Sequence, residues 1–401
     1  ALTNIAALVS GSLGPGGPGG AGRSGEPELL DADTLLVEEG RIAEIGRGLD
    51  ASGAERVLDC AGTTVAPGLI DGHVHVVIGD YTPRQKTVDF LESYMHGGIT
   101  SVVSPGEVHA PGRPSDPVGV KALALAAQRC FRNFRPGGMK VHAGSVLVEP
   151  GLEDRDFEEL AREGVWLAKV GFGRFERQRE AAPLVRAAQA HGFKVLCHTG
   201  GASIPGSAPV LAEDLLEIRP DIAAHVNGGT TALPDGDLER VVRESDMVLQ
   251  VCQAGNLRSA LRLVSLCREL GQLGRINIAS DTPTGTGVMP LGTLKSVVEL
   301  ASLGGLRPEA AWAMASGLAA DAWGLDDQGK IEVGRAADLV VMDAPLGSAA
   351  GDALEAIAIG DIPGITAVLI NGEAWAMKSR NTPAATRYAK WVRVGTSRGE
   401  G

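Results

Sequence analysis

"APGLIDGHVHV" (residues 66–76) places two histidines one residue apart at the end of a run that reads as a buried β-strand. Side chains at i and i+2 of a strand point to the same side, so His73 and His75 converge on one point while Val74 and Val76 face the other way. Two neutral imidazoles aimed at one point form part of a metal site. Taken alone, the pair reads equally well as two polar residues at a strand end, and the rest of the chain decides between the readings.

From about residue 67 to residue 329, short β-branched runs alternate with helical stretches. Eight strands are expected, in LIDGHVHV, TSVVSPG, MKVHAGSV, VWLAKVGF, FKVLCHTG, DIAAHVNG, MVLQVCQ and INIASDT. Helices are expected over TVDFLESYMHGG, VGVKALALAAQRCFRNF, EDRDFEELAREG and AAPLVRAAQAHGF, the last two capped by Gly164 and Gly192. Such alternation is the sequence form of a (β/α)8 TIM barrel, an α/β fold, although pattern alone also admits a doubly wound sheet. On either side, TNIAALVS, TLLVEEGRIAEIG and ERVLDCAGTTVAPG, and later GKIEVGRAADLVVMDAP and ITAVLINGEAWAMK, have the texture of short strands with polar turns. They predict a small β-sandwich module built from both chain ends, residues 1–66 and 330–401, bracketing a barrel over 67–329. GSLGPGGPGGAGRSGEPE (residues 11–28) reads as a loop between two strands of that module.

Barrel enzymes gather their chemistry at the C-terminal ends of the strands. Five of the eight ends carry ligand-type residues: His73 and His75 on the first, Lys169 on the fourth, His198 on the fifth, His225 on the sixth and Asp281 on the eighth. A chance gathering of these residue types around His-x-His is hard to credit, and the pattern points to a metal site. His96 and His191 sit at helix ends, where an imidazole interacts with terminal carbonyls, and read as structural. His109, after strand two, and His142, in strand three, are candidates either for substrate contact or for packing. Arg84 and Arg113 fall in loops that would rim the pocket, where either can clamp a carboxylate bidentately.

Composition bounds the partners. The chain has 401 residues, is 44% hydrophobic and carries a formal net charge of −12, which argues against a nucleic-acid backbone as ligand. Five cysteines (Cys60, Cys130, Cys197, Cys252, Cys267) lack paired spacing and suit a reducing compartment. The apolar opening lacks a basic n-region, and no stretch approaches the ~18 apolar residues of a membrane span. A soluble cytoplasmic protein with a small-molecule substrate, and with neither nucleic acid nor membrane as partner, is expected.

The ligand set resembles that of the amidohydrolase superfamily, in which a His-x-His on strand one, a lysine on strand four, single histidines on strands five and six and an aspartate on strand eight hold two divalent metals. The flanks VAPGLIDGHVH and GRAADLVVMD are similar to that family as well, so the resemblance spans nearly the whole chain. Within it, GDYTPRQKTVDF, HAPGRPSD, CHTGGASIPGS, SDTPTGTGVMPLG and KSRNTPAA resemble the enamidase branch, whose members hydrolyse a cyclic enamide. A homotetramer is what that resemblance implies.

Amide hydrolysis needs a strong nucleophile at neutral pH and relief of charge on the carbonyl oxygen. Two metal ions supply both, lowering the pKa of a bridging water toward ~7 and polarising the carbonyl. The resemblance implies that His73, His75 and Asp281 bind the more buried ion and that His198 and His225 bind the second. A lysine ammonium cannot ligate a cation, and the family answer is a carbamate formed from Lys169 and carbon dioxide, whose two oxygens bridge the metals. Zinc is the first expectation for the ions, with iron, manganese or cobalt also suited to such ligands. Asp281 is the expected general acid/base. The reading is a hydrolase of a cyclic amide or enamide, with a carboxylate on a six-membered ring. Lactone, ester or phosphotriester hydrolysis at the same two metals and a metal-dependent deaminase are the alternatives, and a metal-free assembly protein is disfavoured because every ligand position is filled.

Overall fold

The computed structural model describes residues 1–14, 26–76, 84–106, 113–202, 208–228, 231–283 and 287–393, with the backbone alone for 84–89. The barrel strands are Leu69–Asp71, Ile99–Val103, a third strand in two pieces (Lys140–His142 and Ser145–Leu147), Leu167–Val170, Lys194–Cys197, Ile222–Ala223, Val248–Cys252 and Ile276–Ala279. All are parallel to their neighbours, in two ladders that meet at the divided third strand. The helices Arg84–Met95, Pro117–Asn133, Asp154–Arg162, Ala182–Ala190, Ala212–Ile218, Asp235–Glu244, Leu257–Glu269 and Gly292–Ser302 follow the strands in turn, one after each. The fold is the α/β barrel, so the doubly wound alternative falls away.

The sequence reads MKVHAGSV as one strand, and the chain instead breaks it at Gly144. That residue has φ +103°, and a Cβ there would lie 2.5 Å from Cβ of Gln128 on the helix Pro117–Asn133. The left-handed turn permits this close approach and interrupts the ladder.

Between the eighth strand and the first, closure comes just beyond the strand ends. Val74 bridges Thr282 in parallel, the amide of Asp281 donates to the carbonyl of His73 at 2.8 Å, and the amide of His75 donates to that of Thr282 at 2.9 Å. Inside, Ile70, Val103, Leu167, Leu196 and Ile222 pack with Ala319, Ala320 and Trp323 of the helix Gly317–Trp323. That helix seals the barrel from the end where strands four and six begin.

The β module joins Leu2–Leu13, Pro27–Leu30, Thr34–Glu38, Arg41–Gly46 and Val57–Pro67 to Leu339–Asp343, Gly364–Ile370, Glu373–Met377 and Lys390–Arg393 in one hydrogen-bonded nine-stranded sheet. The two parts of the chain meet where Leu339–Asp343 pairs antiparallel with Val57–Pro67, Leu339 opposite Pro67. A separate apolar cluster that includes Leu2, Leu8, Leu35, Leu58, Val65 and Val341 forms the module's own core.

A buried ion pair ties barrel to module: Lys140 Nζ lies 2.6 Å from Oδ2 of Asp338, whose Oδ1 accepts from the amide of Asn371 at 2.9 Å. Removing one partner of such a pair strands a charge in a low-dielectric interior. Lys140→Met is expected to destabilise by about 3–5 kcal/mol, with part recovered in Lys140→Met/Asp338→Asn, read from urea denaturation midpoints.

Candidate metal centre

The site is built on Asp71, two residues before the first histidine. Its Oδ1 accepts from the amides of Ser280 (2.9 Å) and His73 (3.3 Å), and its Oδ2 from the hydroxyl of Thr293 (2.9 Å). Burial pushes the Asp71 carboxyl up to about 6, and these donors restrain the rise. One carboxylate thus holds the run after strand one against the run after strand eight and brings Asp281 beside the His-x-His pair.

Oδ1 of Asp281 lies 3.3 Å from Nε2 of His73 and 3.2 Å from Nε2 of His75. Nζ of Lys169 lies 3.1 Å from the same Nε2 of His73. On the other side, Nδ1 of His198 faces Nε2 of His225 at 3.1 Å, and the His73 and His225 rings stack at 5.6 Å. All six sequence-derived ligand residues therefore come together.

Two second-sphere acceptors orient the pair. Nδ1 of His73 donates to Oε1 of Gln250 at 2.7 Å, and Nδ1 of His75 donates to the carbonyl of Gly106 at 3.1 Å. With the proton held on Nδ1, each ring turns a lone pair on Nε2 toward Asp281.

Burial sets the charges. It holds the imidazoles of His73 and His198 well below their usual range and brings His225 down to about 4, with the Lys169 charge adding to the effect. Burial likewise lowers the Lys169 amine to about 8, against the pull of Asp281. For Asp281 burial acts upward, and the imidazoles around it outweigh it, so the carboxyl lies well below its usual value and stays ionised. The result is a set of buried imidazoles held in the uncharged form, an amine with a lowered pKa and one anion.

A divalent cation fits that donor set. Two ligands about 2.1 Å from a tetrahedral ion lie roughly 3.4 Å apart, close to the separations among these nitrogens and the Asp281 oxygen. The ligand atoms of His73, His75 and Asp281 all fall within 4.8 Å of one another. Asp281 and His225 also hold left-handed backbone, φ 57° and 30°, without being glycine. Strain of this kind persists where the surroundings over-determine it, as at a ligand site.

The substrate-side expectations divide. The guanidinium of Arg113 lies 2.5 Å from Oε1 of Glu149 and donates to the carbonyl of Phe172 at 2.6 Å, so an internal carboxylate already occupies it. His142 lies apart from the ligand cluster, its ring edge-on to Trp166 at 5.9 Å, in a cavity of about 310 Å³ that Gln128, Arg135 and Gln328 also line. The break at Gly144 leaves His142 on the first piece of strand three, in line with the packing alternative. His109 lies outside the described residues, as do residues 203–207 and 284–286 of the two glycine-rich loops, and Arg84 is described by its backbone alone. His96 accepts from the amide of Arg380 at 3.4 Å, and His191 pairs with Asp154 at 3.0 Å, both at helix ends.

Sequence reasoning passed over Asp71 and Gln250. Each is a polar residue inside an otherwise apolar strand run, LIDGHVH and MVLQVCQ, and that is the signal that marks them.

The chain belongs to the amidohydrolase family, whose profile matches residues 64–374. It is 46% identical over 392 residues to an enamidase of Eubacterium barkeri, covering 97% of this chain and 98% of that one. A crystal structure of enamidase superposes with a TM-score of 0.90 at 47% identity, over 98% of this chain and 99% of the other. An adenine deaminase of Deinococcus deserti is more distant, 27% identical over 331 residues, 79% of this chain and 54% of that protein.

Gln250→Leu is expected to lower metal affinity by roughly 10–100-fold, as loss of a ligand's hydrogen-bond partner does, measured by competition with a chromophoric chelator. A second expectation concerns His142, which burial holds at about 4 against an ordinary 6.5. Its neutral form favours the fold above pH 6.5, and that contribution is lost as pH falls toward 4, so His142→Phe flattens the acid limb of Tm against pH across this window.

Proposed function

We propose that this chain hydrolyses the C–N bond of a cyclic enamide or amide, with two divalent metals held by His73, His75, Asp281, His198 and His225 and bridged by Lys169. The observation that carries the reading is the convergence of these six side chains, withdrawn from solvent, at the C-terminal ends of the barrel strands. The identity to an enamidase along nearly the whole chain supports the substrate class.

The metals, zinc or alternatively iron, manganese or cobalt, would supply Lewis acidity toward the carbonyl and would lower the pKa of water to about 7. The protein's own groups do the rest. The unprotonated fraction of Lys169, enlarged because burial lowers the amine to about 8, adds through Nζ to carbon dioxide; the C=O π pair moves to oxygen, a proton leaves the nitrogen, and the carbamate anion offers two oxygens where an ammonium offers none. Asp281, ionised, accepts the proton of the attacking water and returns it to the departing ring nitrogen. The product of an enamide is an enamine, which tautomerises and loses ammonia in water without further help from the protein. A carboxylate on a six-membered ring is the substrate feature we favour, and a homotetramer in the cytoplasm is the state that accompanies the reading.

No helix among the described residues is long and apolar enough to cross a membrane. Lys169 beside His73 separates this reading from a one-metal deaminase, which has no use for a bridging group on the fourth strand.

Elemental analysis of protein purified without added metal is expected to give about two divalent ions per chain, and exhaustive chelation to abolish amide hydrolysis. Lys169→Ala is expected to lose activity by several orders of magnitude and to regain part of it with short carboxylic acids, which can stand in for the carbamate. Full activity in Lys169→Ala, or turnover of esters and phosphotriesters alone, overturns the proposal.

A further inference from the structure

Arg113 and Glu149 come from the loops after strands two and three, and together they grip the turn after strand four. Arg113 donates through one terminal nitrogen to the carbonyl of Pro114 at 3.0 Å and through the other to that of Phe172 at 2.6 Å, with Oε1 of Glu149 2.5 Å from the latter. The second carboxylate oxygen of Glu149 accepts from the amide of Arg174 at 2.6 Å. The pair thus holds the backbone on both sides of Gly173. Both side chains are withdrawn from solvent, 10% exposed for Arg113 and 0% for Glu149.

What the turn presents is Phe172, whose ring lies 4.6 Å from that of His198, tilted at 48°. Gly171 leaves no slack between them: it has φ +110°, and a Cβ there would lie 2.5 Å from Cβ of His198. The amide of His198 is itself fixed to the carbonyl of Val170 at 2.9 Å. With the backbone set, the imidazole is flanked by the ring of Phe172 and by that of His225, whose centroid lies 4.7 Å away at 69°. Nζ of Lys169 stands 6.0 Å from the same Phe172 ring.

We infer that Arg113 and Glu149 are positioning residues, which fix Phe172 and through it the ring of His198 in the metal centre. Arg113 is then no clamp for a substrate carboxylate, because its charge is already met inside the protein. The kinetic part of the test rests on the proposed amide hydrolysis, whereas the metal-site part does not.

The test compares wild type with Arg113→Met, Arg113→Lys, Glu149→Gln, the double variant Arg113→Met/Glu149→Gln, and Phe172→Leu. Each is loaded with cobalt(II), and its visible spectrum is recorded; kcat and KM follow for a carboxylated and a neutral cyclic amide. Removing either member of the pair, although the two carry opposite charges, is expected to shift the cobalt bands and to lower kcat by roughly 10–100-fold on both substrates alike, with KM little changed. The double variant is expected to be no worse than the poorer single one, and Arg113→Lys to fall between, since an ammonium pairs with Glu149 but does not span both carbonyls. Phe172→Leu leaves the ion pair intact and is expected to reproduce the spectral shift even if Arg113→Met fails to fold. Unchanged cobalt bands in Glu149→Gln and Phe172→Leu overturn the inference. So does a loss in Arg113→Met confined to the KM of the carboxylated substrate. A wild type that turns over no cyclic amide defeats the functional proposal, and the spectra still decide the positioning role.

Discussion

Asp71 is the residue on which the site's geometry depends. A parallel barrel must close its first strand against its last, and here the closure beyond the strand ends is pinned by one carboxylate that accepts from His73, Ser280 and Thr293. The same bonds fix the register at which Asp281 meets the two histidines. Since a one-residue slip in a strand sends every side chain to the opposite face, that register decides whether three ligands share a point or scatter.

The second constraint is electrostatic. Four imidazoles, an amine and a carboxylate are taken out of water together, and without compensation each charged form is costly. Burial eases this by favouring the uncharged imidazole, with His225 falling to about 4, and by lowering the Lys169 amine to about 8, while Asp281 keeps its charge beside them. The arrangement is complementary to a cation rather than to an apolar ligand. It also makes the lysine reactive, since an amine that is partly unprotonated near neutral pH is a nucleophile.

Much of this was legible in the chain. The alternation of eight β-branched runs with helices, the His-x-His, and the single ligand residues at the ends of strands four, five, six and eight follow from period and residue type. Less legible were the loops. From sequence, Arg113 admits either a carboxylate clamp or an inter-loop contact; the carboxylate it meets is Glu149, thirty-six positions along and on another strand end. His142 admits substrate contact or packing from sequence, and the break at Gly144 sets it beside Trp166 in a cavity of its own.

The sequence by itself determined which residue types recur at which strand ends, and with them the barrel, the candidate ligand residues and the chemical class, because those rest on local periodicity and on the intrinsic donor chemistry of His, Asp and Lys. Only the tertiary structure decided which partners those residues take: Gln250 for Nδ1 of His73, Asp71 for the closure, Glu149 for Arg113. Such pairings join segments as much as 222 positions apart, as between Asp71 and Thr293, and no short-range pattern encodes them. The backbone must first bring the strand ends together before a hydrogen bond can choose between one acceptor and another.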